Sequence, residues 1–200
     1  NIDSSTAHKL VEESMLLANE SAAEFMHDRL DIGVYRIHED PDPSKLEALK
    51  KHFKIPNQIA KKSSPLEMIN RCLQEAHKKK DDTGQILVLQ TLARAEYSTN
   101  NLGHFGLQLK QYSHFTSPIR RYPDLLVHRL INSSLAHKKL GIRQNELQDE
   151  CENSSILERR AEKASRQVEQ VLICSYLKTK IGSTMAVSYT HLTLPTMFEV

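Results

Sequence analysis

HFGLQLKQYSHFTSPIRRYPDLLVHRLI, residues 104–131, places two adjacent arginines between a serine-proline pair and a strongly apolar run, with aromatic rings on either side. Ser117-Pro118 has the form of a helix N-cap followed by proline at the first helical position, so a helix is predicted to begin just before Arg120 and Arg121. Leu125, Leu126, Leu130, Ile131 and Leu135 give that helix a core-facing side, and Gly141 ends it. The first turn of a helix exposes unpaired N–H groups and a partial positive charge, so arginines there add to an anion site whose natural guest is phosphate. Adjacent helical residues diverge by about 100°, so the two guanidiniums cannot point the same way. One can grip a phosphate while the other pairs with an acid; the plainer alternative is that both are structural or solvated. Phe105, Tyr112, Phe115 and Tyr122 lie among these charges, as stacking platforms for single-stranded bases or as core packing. His104, His114 and His128 lack the i, i+4 spacing of a helical metal pair, which argues against zinc.

Upstream of this stretch, residues 4–30 read as a long amphipathic helix, capped by Ser4 or Ser5. Ala7, Val11, Met15, Ala18, Ala22 and Phe25 form its expected core stripe, and Glu12 and Asn19 share a different face two turns apart. GVYRIHEDPDP, residues 33–43, reads as a short extended segment entering a turn. Helices are predicted from Ser44 to Phe53, over residues 65–79 on Leu66, Ile69, Leu73 and Ala76, and from Gln85 to Glu96, with a solvated turn at KKKDDTG. STNNLGHFG is a loop, and a last helix runs from Asn145 to Leu177 with Leu147, Cys151, Ile156, Ala161, Ala164, Val168, Val171 and Leu172 on its buried side.

Two hundred residues, 39% of them hydrophobic, suffice for one domain with its own core. The formal net charge of +2 is unevenly spread: residues 1–31 set Lys9 and Arg29 against seven acids, whereas residues 110–143 set seven Lys/Arg against Asp124 alone. A polyanion is drawn to the second region and repelled by the first. Cys72, Cys151 and Cys174 form no CxxC pair, which supports neither a disulfide framework nor a zinc ribbon and fits a reducing, cytoplasmic setting. No apolar run approaches a membrane span, and the first residue is Asn1 rather than Met, so the sequence is read as entering partway through a longer frame.

Residues 104–131 resemble the signature of the catalytic RNB domain of the ribonuclease II and ribonuclease R superfamily, and the span from GHFGL to VHRL sides with the ribonuclease R branch. HKLVEESMLLAN and YRIHEDPDPSKLEAL are similar to two further blocks of that domain in the same order. The resemblance implies an α+β, RNB-type catalytic domain whose C-terminal part, predominantly helical, occupies residues 1–182. It further implies a monomeric, processive hydrolase that degrades single-stranded RNA from its 3′ end to nucleoside 5′-monophosphates with Mg2+. In that family the arginine of the Ser-Pro-Ile-Arg element lies by the scissile phosphate, which makes Arg120 the implied catalytic residue. Glu12 matches a residue near the terminal nucleotide, and Asn19, His104, Tyr112, Ser117, Arg121 and Tyr122 complete the expected RNA-binding set.

The family's metal-binding pattern, Asp-x5-Asp-x-Asp-Asp, does not occur in this sequence; Asp81-Asp82 lacks the spacing. No metal ligand is therefore expected here, and the magnesium ligands are expected upstream. VSYTHLTLPT resembles translated sequencing adapter, so residues 183–200 are read as a non-native tail standing where an S1-type RNA-binding module should begin, with a divergent native tail as the alternative. Two functions follow: an exoribonuclease fragment, or a non-catalytic module that grips single-stranded RNA. A helical scaffold without an RNA role would require all three matching blocks to be accidental.

Overall fold

The computed structural model describes residues 6–56, 63–138 and 141–182; the predicted cap at Ser4 or Ser5 and the tail at 183–200 lie outside them. The chain divides into two compact units, one built on Asn1–Glu39 and Arg94–Arg166, the other on Asp40–Ala93 and Gln167–Val200. The fold is α+β in the first unit and helical in the second; the predominantly helical α+β class is the one expected, whereas the division into two units was not anticipated.

In the first unit, helix α1 spans Thr6–Arg29, and strand β1, Tyr35–Ile37, pairs antiparallel with a later strand, Glu96–Ser98, in the register Arg36 opposite Tyr97. Ala22 and Met26 of α1 join Val34, Tyr97, Leu126, Val127, Leu130, Leu147 and Cys151 in one buried cluster. Removing such side chains from water is the main favourable term holding the unit together. The expected stripe on α1 is only half right. Ala22 is buried, but Val11 and Met15 are 57% and 36% exposed, and the fully covered residues of the helix lie between Asn19 and Met26. The cause is coverage: only the C-terminal half of the helix has a partner surface to meet.

The second unit contains α2 (Pro43–His52), α3 (Pro65–Lys79) and α4 (Asp82–Thr91). Each begins on a side-chain cap. Asp42 accepts from Ser44 N, Ser64 and Glu67 form a reciprocal capping box, and Asp81 accepts from Gly84 N. The charge run KKKDDTG is therefore more than a solvated turn: Lys80 takes a left-handed conformation at φ 51° and Asp81 starts the next helix. The helix predicted over 85–96 stops at Thr91, and residues 96–98 are strand β2, because the β1 edge offers Tyr97 a ladder and a buried place that helix propensity alone does not anticipate.

Two long helices carry the rest: α5, Tyr122–Leu135, packs on α1, and α6 spans Gln144–Lys178. Leu135 is exposed and α5 ends there, before Gly141. On α6 the buried residues are Leu147, Cys151 and Ser155; Ile156, Val168, Val171 and Leu172 are all more than half exposed, against expectation. Their stripe has the right period, yet nothing among the described residues is laid upon it.

Candidate nucleic-acid interface

The predicted helix start, with Ser117 as N-cap and Pro118 as first helical residue, is displaced by four residues to Arg121 and Tyr122. Residues 117–121 form a separate turn, in which Arg120 N and Arg121 N both donate to Ser117 O at 3.2 and 3.0 Å. Arg121 then adopts an extended backbone, φ −125° and ψ 116°, and α5 begins at Tyr122 with proline in its first turn. What folds the turn back on the helix is Asp124, fully buried at 0% exposure. Its Oδ2 accepts from Ser117 N at 2.8 Å and from Arg121 Nη2 and Nε at 2.8 and 3.2 Å. Such charge-assisted bonds are about twice as strong as neutral ones.

The two arginines consequently part company. Arg121 is held inward with a side chain 22% exposed, whereas Arg120 is exposed and its guanidinium has no hydrogen-bond or ion-pair partner among the described residues. Ile119, at the tip of the same turn, is fully exposed. The division anticipated from the 100° divergence is present, although the backbone achieving it is a turn rather than a helix.

Beneath the turn lies Asn19, 3% exposed. Its Nδ2 donates to Tyr112 Oη at 2.9 Å, and its Oδ1 accepts from Phe115 N at 2.9 Å and Thr116 N at 3.2 Å. One amide thus ties α1 to the segment that leads into the arginines. Tyr112 is itself buried, and Arg36 N donates to its carbonyl at 2.8 Å, while Ser113 Oγ donates to Val34 O at 2.7 Å. Phe115 stacks on His128 with ring centroids 4.1 Å apart and packs against the core, and His128 Nε2 donates to Phe115 O at 2.9 Å. Core packing is the outcome for Phe115.

A run of edge-to-face rings continues from there. His38, His104, Tyr112, His114 and Tyr97 follow one another at centroid separations of 5.1, 5.3, 5.7 and 5.6 Å. Arg36 lies 4.5 Å over the Tyr97 ring and forms a two-pronged pair with Glu158 at 2.7 and 3.2 Å. Burial is the largest cause of each titration shift along this run. It pushes the Tyr97 phenol up to about 12, and it lowers His104 to about 4 and His114 to about 3, with the nearby arginines lowering both further. Both imidazoles are neutral at ordinary pH.

Of the residues singled out in the sequence, Asn19, Tyr112, Ser117 and Arg121 meet around one turn, all by way of internal bonds. Arg120 and Tyr122, the latter 44% exposed, form the outer surface of that turn, and His104 is half-buried on the adjoining loop. Glu12 is exposed on α1, with no bond to the turn. Sequence reasoning missed Asp124, Arg36 and His114. Asp124 had a signal: an acid three residues after Arg121, in a stretch otherwise basic and apolar.

Among the described residues no three His, Cys, Asp or Glu side chains gather so as to hold a metal ion. Asp124, the carboxylate nearest the arginines in sequence, is committed to Arg121 and Ser117. The described residues do not fit the magnesium that the resemblance implies. No helix among the described residues is long and apolar enough to cross a membrane.

Comparison with known proteins is consistent with this geometry. The chain is 35% identical over 195 residues to ribonuclease R of Vibrio parahaemolyticus and 34% identical over 194 residues to ribonuclease R of Escherichia coli, covering 90% and 88% of this chain but 23% and 24% of those proteins. The chain therefore spans about a quarter of the length of the curated relatives it matches. Among solved structures it superposes on Mycoplasma genitalium RNase R in complex with ribose methylated single-stranded RNA, with a TM-score of 0.71 and 28% identity over 88% of this chain and 29% of that one. The RNB domain model matches residues 1–137, and with that match the chain is shown to belong to the RNB-domain family, among the relatives of ribonuclease R.

Proposed function

We propose that this chain forms the C-terminal part of the catalytic domain of a processive 3′-to-5′ exoribonuclease, a cytoplasmic enzyme that hydrolyses single-stranded RNA to nucleoside 5′-monophosphates. The observation that carries the reading is the separation of the arginine pair: Arg121 is bound to Asp124 while Arg120 is exposed and unpartnered on a stapled turn. A guanidinium left free on a fixed turn is available for two parallel N–H donations to phosphate oxygens, and it gains most where charge develops in the transition state. Asn19, Tyr112, Ser117 and Arg121 shape the turn; His104, Tyr122 and Glu12 contact RNA around it. The magnesium ions of such a reaction are held by carboxylates that these residues do not supply.

The test compares binding with turnover in a longer chain that carries both the aspartate pattern and these residues. Arg120→Ala is expected to lower turnover of bound RNA by about 10²- to 10³-fold and to change RNA affinity far less, because many contacts along the strand set affinity. Arg120→Lys rescues little, a point charge being unable to replace a fork. Tenfold weaker binding with unchanged turnover would overturn the catalytic role. A second reading is a module that grips RNA without cutting it, and the upstream aspartate pattern separates the two. The second predicts binding but no magnesium-dependent hydrolysis even in the longer chain.

A further inference from the structure

A cleft of about 540 Å³ runs between α5 and the first turns of α6, within the first unit. Its α5 side is built from Tyr122, Leu126, Arg129, Leu130 and Ser133, which recur every three or four residues and so share one face of that helix. Leu126, Leu130 and Leu147 belong to the core and close the cleft below, so its bottom is apolar.

The walls carry charge that is unevenly committed. On α6, Glu146 accepts from Arg143 Nη2 and Nε at 2.5 and 3.0 Å. Glu150, one turn further on, lines the same cleft, is half-buried and has no hydrogen-bond or ion-pair partner among the described residues. On the α5 wall Arg129 is exposed and likewise without a partner among the described residues, and Tyr122 is 44% exposed. A half-buried carboxylate left unpaired is costly to hold, and the arginine lining the same cleft does not close upon it.

These features select an occupant. A free carboxylate repels phosphate, and a floor of leucines offers a strand nothing, so nucleic acid is a poor fit. A carboxylate beside an exposed phenol ring suits a side-chain cation, paired with the first and lying over the second. The leucine floor takes an apolar side chain next to it. A guanidinium only donates, so Arg129 takes backbone carbonyls. Cation, apolar group and carbonyls at close spacing are the marks of a polypeptide.

We propose that the α5–α6 cleft is a docking site for a short segment of a partner protein in which a basic residue neighbours an apolar one. The basic side chain meets Glu150 and Tyr122, the apolar one meets the leucines, and the segment's carbonyls face Arg129. The proposal does not rest on the RNA reading, although Tyr122 borders both surfaces.

The experiment uses the whole chain and three short fluorescein-labelled peptides, of leucine and lysine, leucine and glutamate, and serine and lysine, each titrated by anisotropy. The leucine/lysine peptide is expected to bind, and the other two far more weakly. Glu150→Gln is expected to weaken it about 10- to 100-fold, one charge-assisted bond, with the circular-dichroism melt unchanged. Glu150→Lys abolishes it and gains the leucine/glutamate peptide. No binding of the leucine/lysine peptide, or binding that Glu150→Gln leaves unchanged, would overturn the proposal. Equal binding of the serine/lysine peptide would reduce the contact to charge attraction and overturn it too. Arg129→Glu that weakens labelled oligoadenylate RNA but not the peptide would assign the cleft to the strand instead. A sedimenting dimer of the wild type that Glu150→Lys dissolves would assign it to a second copy, and either result overturns the partner-segment reading.

Discussion

Replacing Asp124 by alanine removes the acceptor of three bonds at once and leaves Arg121, 22% exposed, without its carboxylate. Removing one partner of a buried pair costs about 3–5 kcal/mol, and an orphaned backbone donor such as Ser117 N costs a further 1–3 kcal/mol, roughly. Because Arg121 retains some contact with water, the cost falls below that full sum, and Asp124→Ala is expected to destabilise the fold by about 3–4 kcal/mol. Asp124→Asn keeps one acceptor and loses the charge, for about 2 kcal/mol. Arg120→Ala removes an exposed side chain with no partner among the described residues and stays within about 0.5 kcal/mol. Urea unfolding followed by far-ultraviolet circular dichroism reads all three. With a slope of about 2 kcal/mol per molar, the alanine variant loses about 1.5–2 M in midpoint. A double-mutant cycle with Arg121→Ala isolates the pair itself. An Asp124→Ala cost below about 1 kcal/mol, or an Arg120→Ala cost equal to it, would refute the assignment of one arginine to scaffold and the other to surface.

Two further outcomes follow from the ring run and its anchor. Since His104 and His114 titrate near 4 and 3 when folded but near 6.5 when unfolded, the unfolded chain takes up protons that the folded one refuses as pH falls below about 6.5. Stability is complete above that pH and drops by up to about 1.4 kcal/mol per pH unit for each ring, a total near 2–4 kcal/mol by pH 4, roughly, after allowance for partial exposure; urea midpoints that do not change between pH 7 and pH 4.5 would contradict it. Asn19→Ala leaves Phe115 N and Thr116 N without an acceptor and should cost about 2–4 kcal/mol in the same titration, whereas Glu12→Ala, on the exposed stretch of α1, should cost little.

The strongest periodic signals in the sequence translated well into elements: α3 occupies Pro65–Lys79 as read, and the paired prolines at 41 and 43 closed the extended segment. Burial was less legible, for periodicity names a helix's apolar side without saying how far along the helix a partner extends. Val11 and Met15 on α1, and Val168 and Leu172 on α6, are the result. The strand at Glu96–Ser98 was invisible for a related reason: its partner Tyr35–Ile37 lies some sixty residues earlier, and pairing at that distance leaves no local trace. In the site, the pairing of one arginine with an acid was anticipated, but from a helical geometry that these two residues do not adopt, and Asp124 could not be placed until the turn folding Ser117 back onto α5 was seen. Asn19 was placed with Glu12 on a face apart from the expected core stripe; it is a buried connector.

Asn19 and Phe115 are bonded across 96 positions of sequence. At a synthesis rate of about 5–20 residues per second, the amide leaves the ribosome about 5–20 seconds before its partner. Throughout that interval α1 exists without the segment it must anchor, and the arginine turn does not yet exist. The nascent chain therefore cannot display the arginine turn early, however soon its helices form. Loop closure over such a length is also slow to be rewarded, so the turn orders only after both α1 and the segment from Tyr112 to Asp124 have left the ribosome.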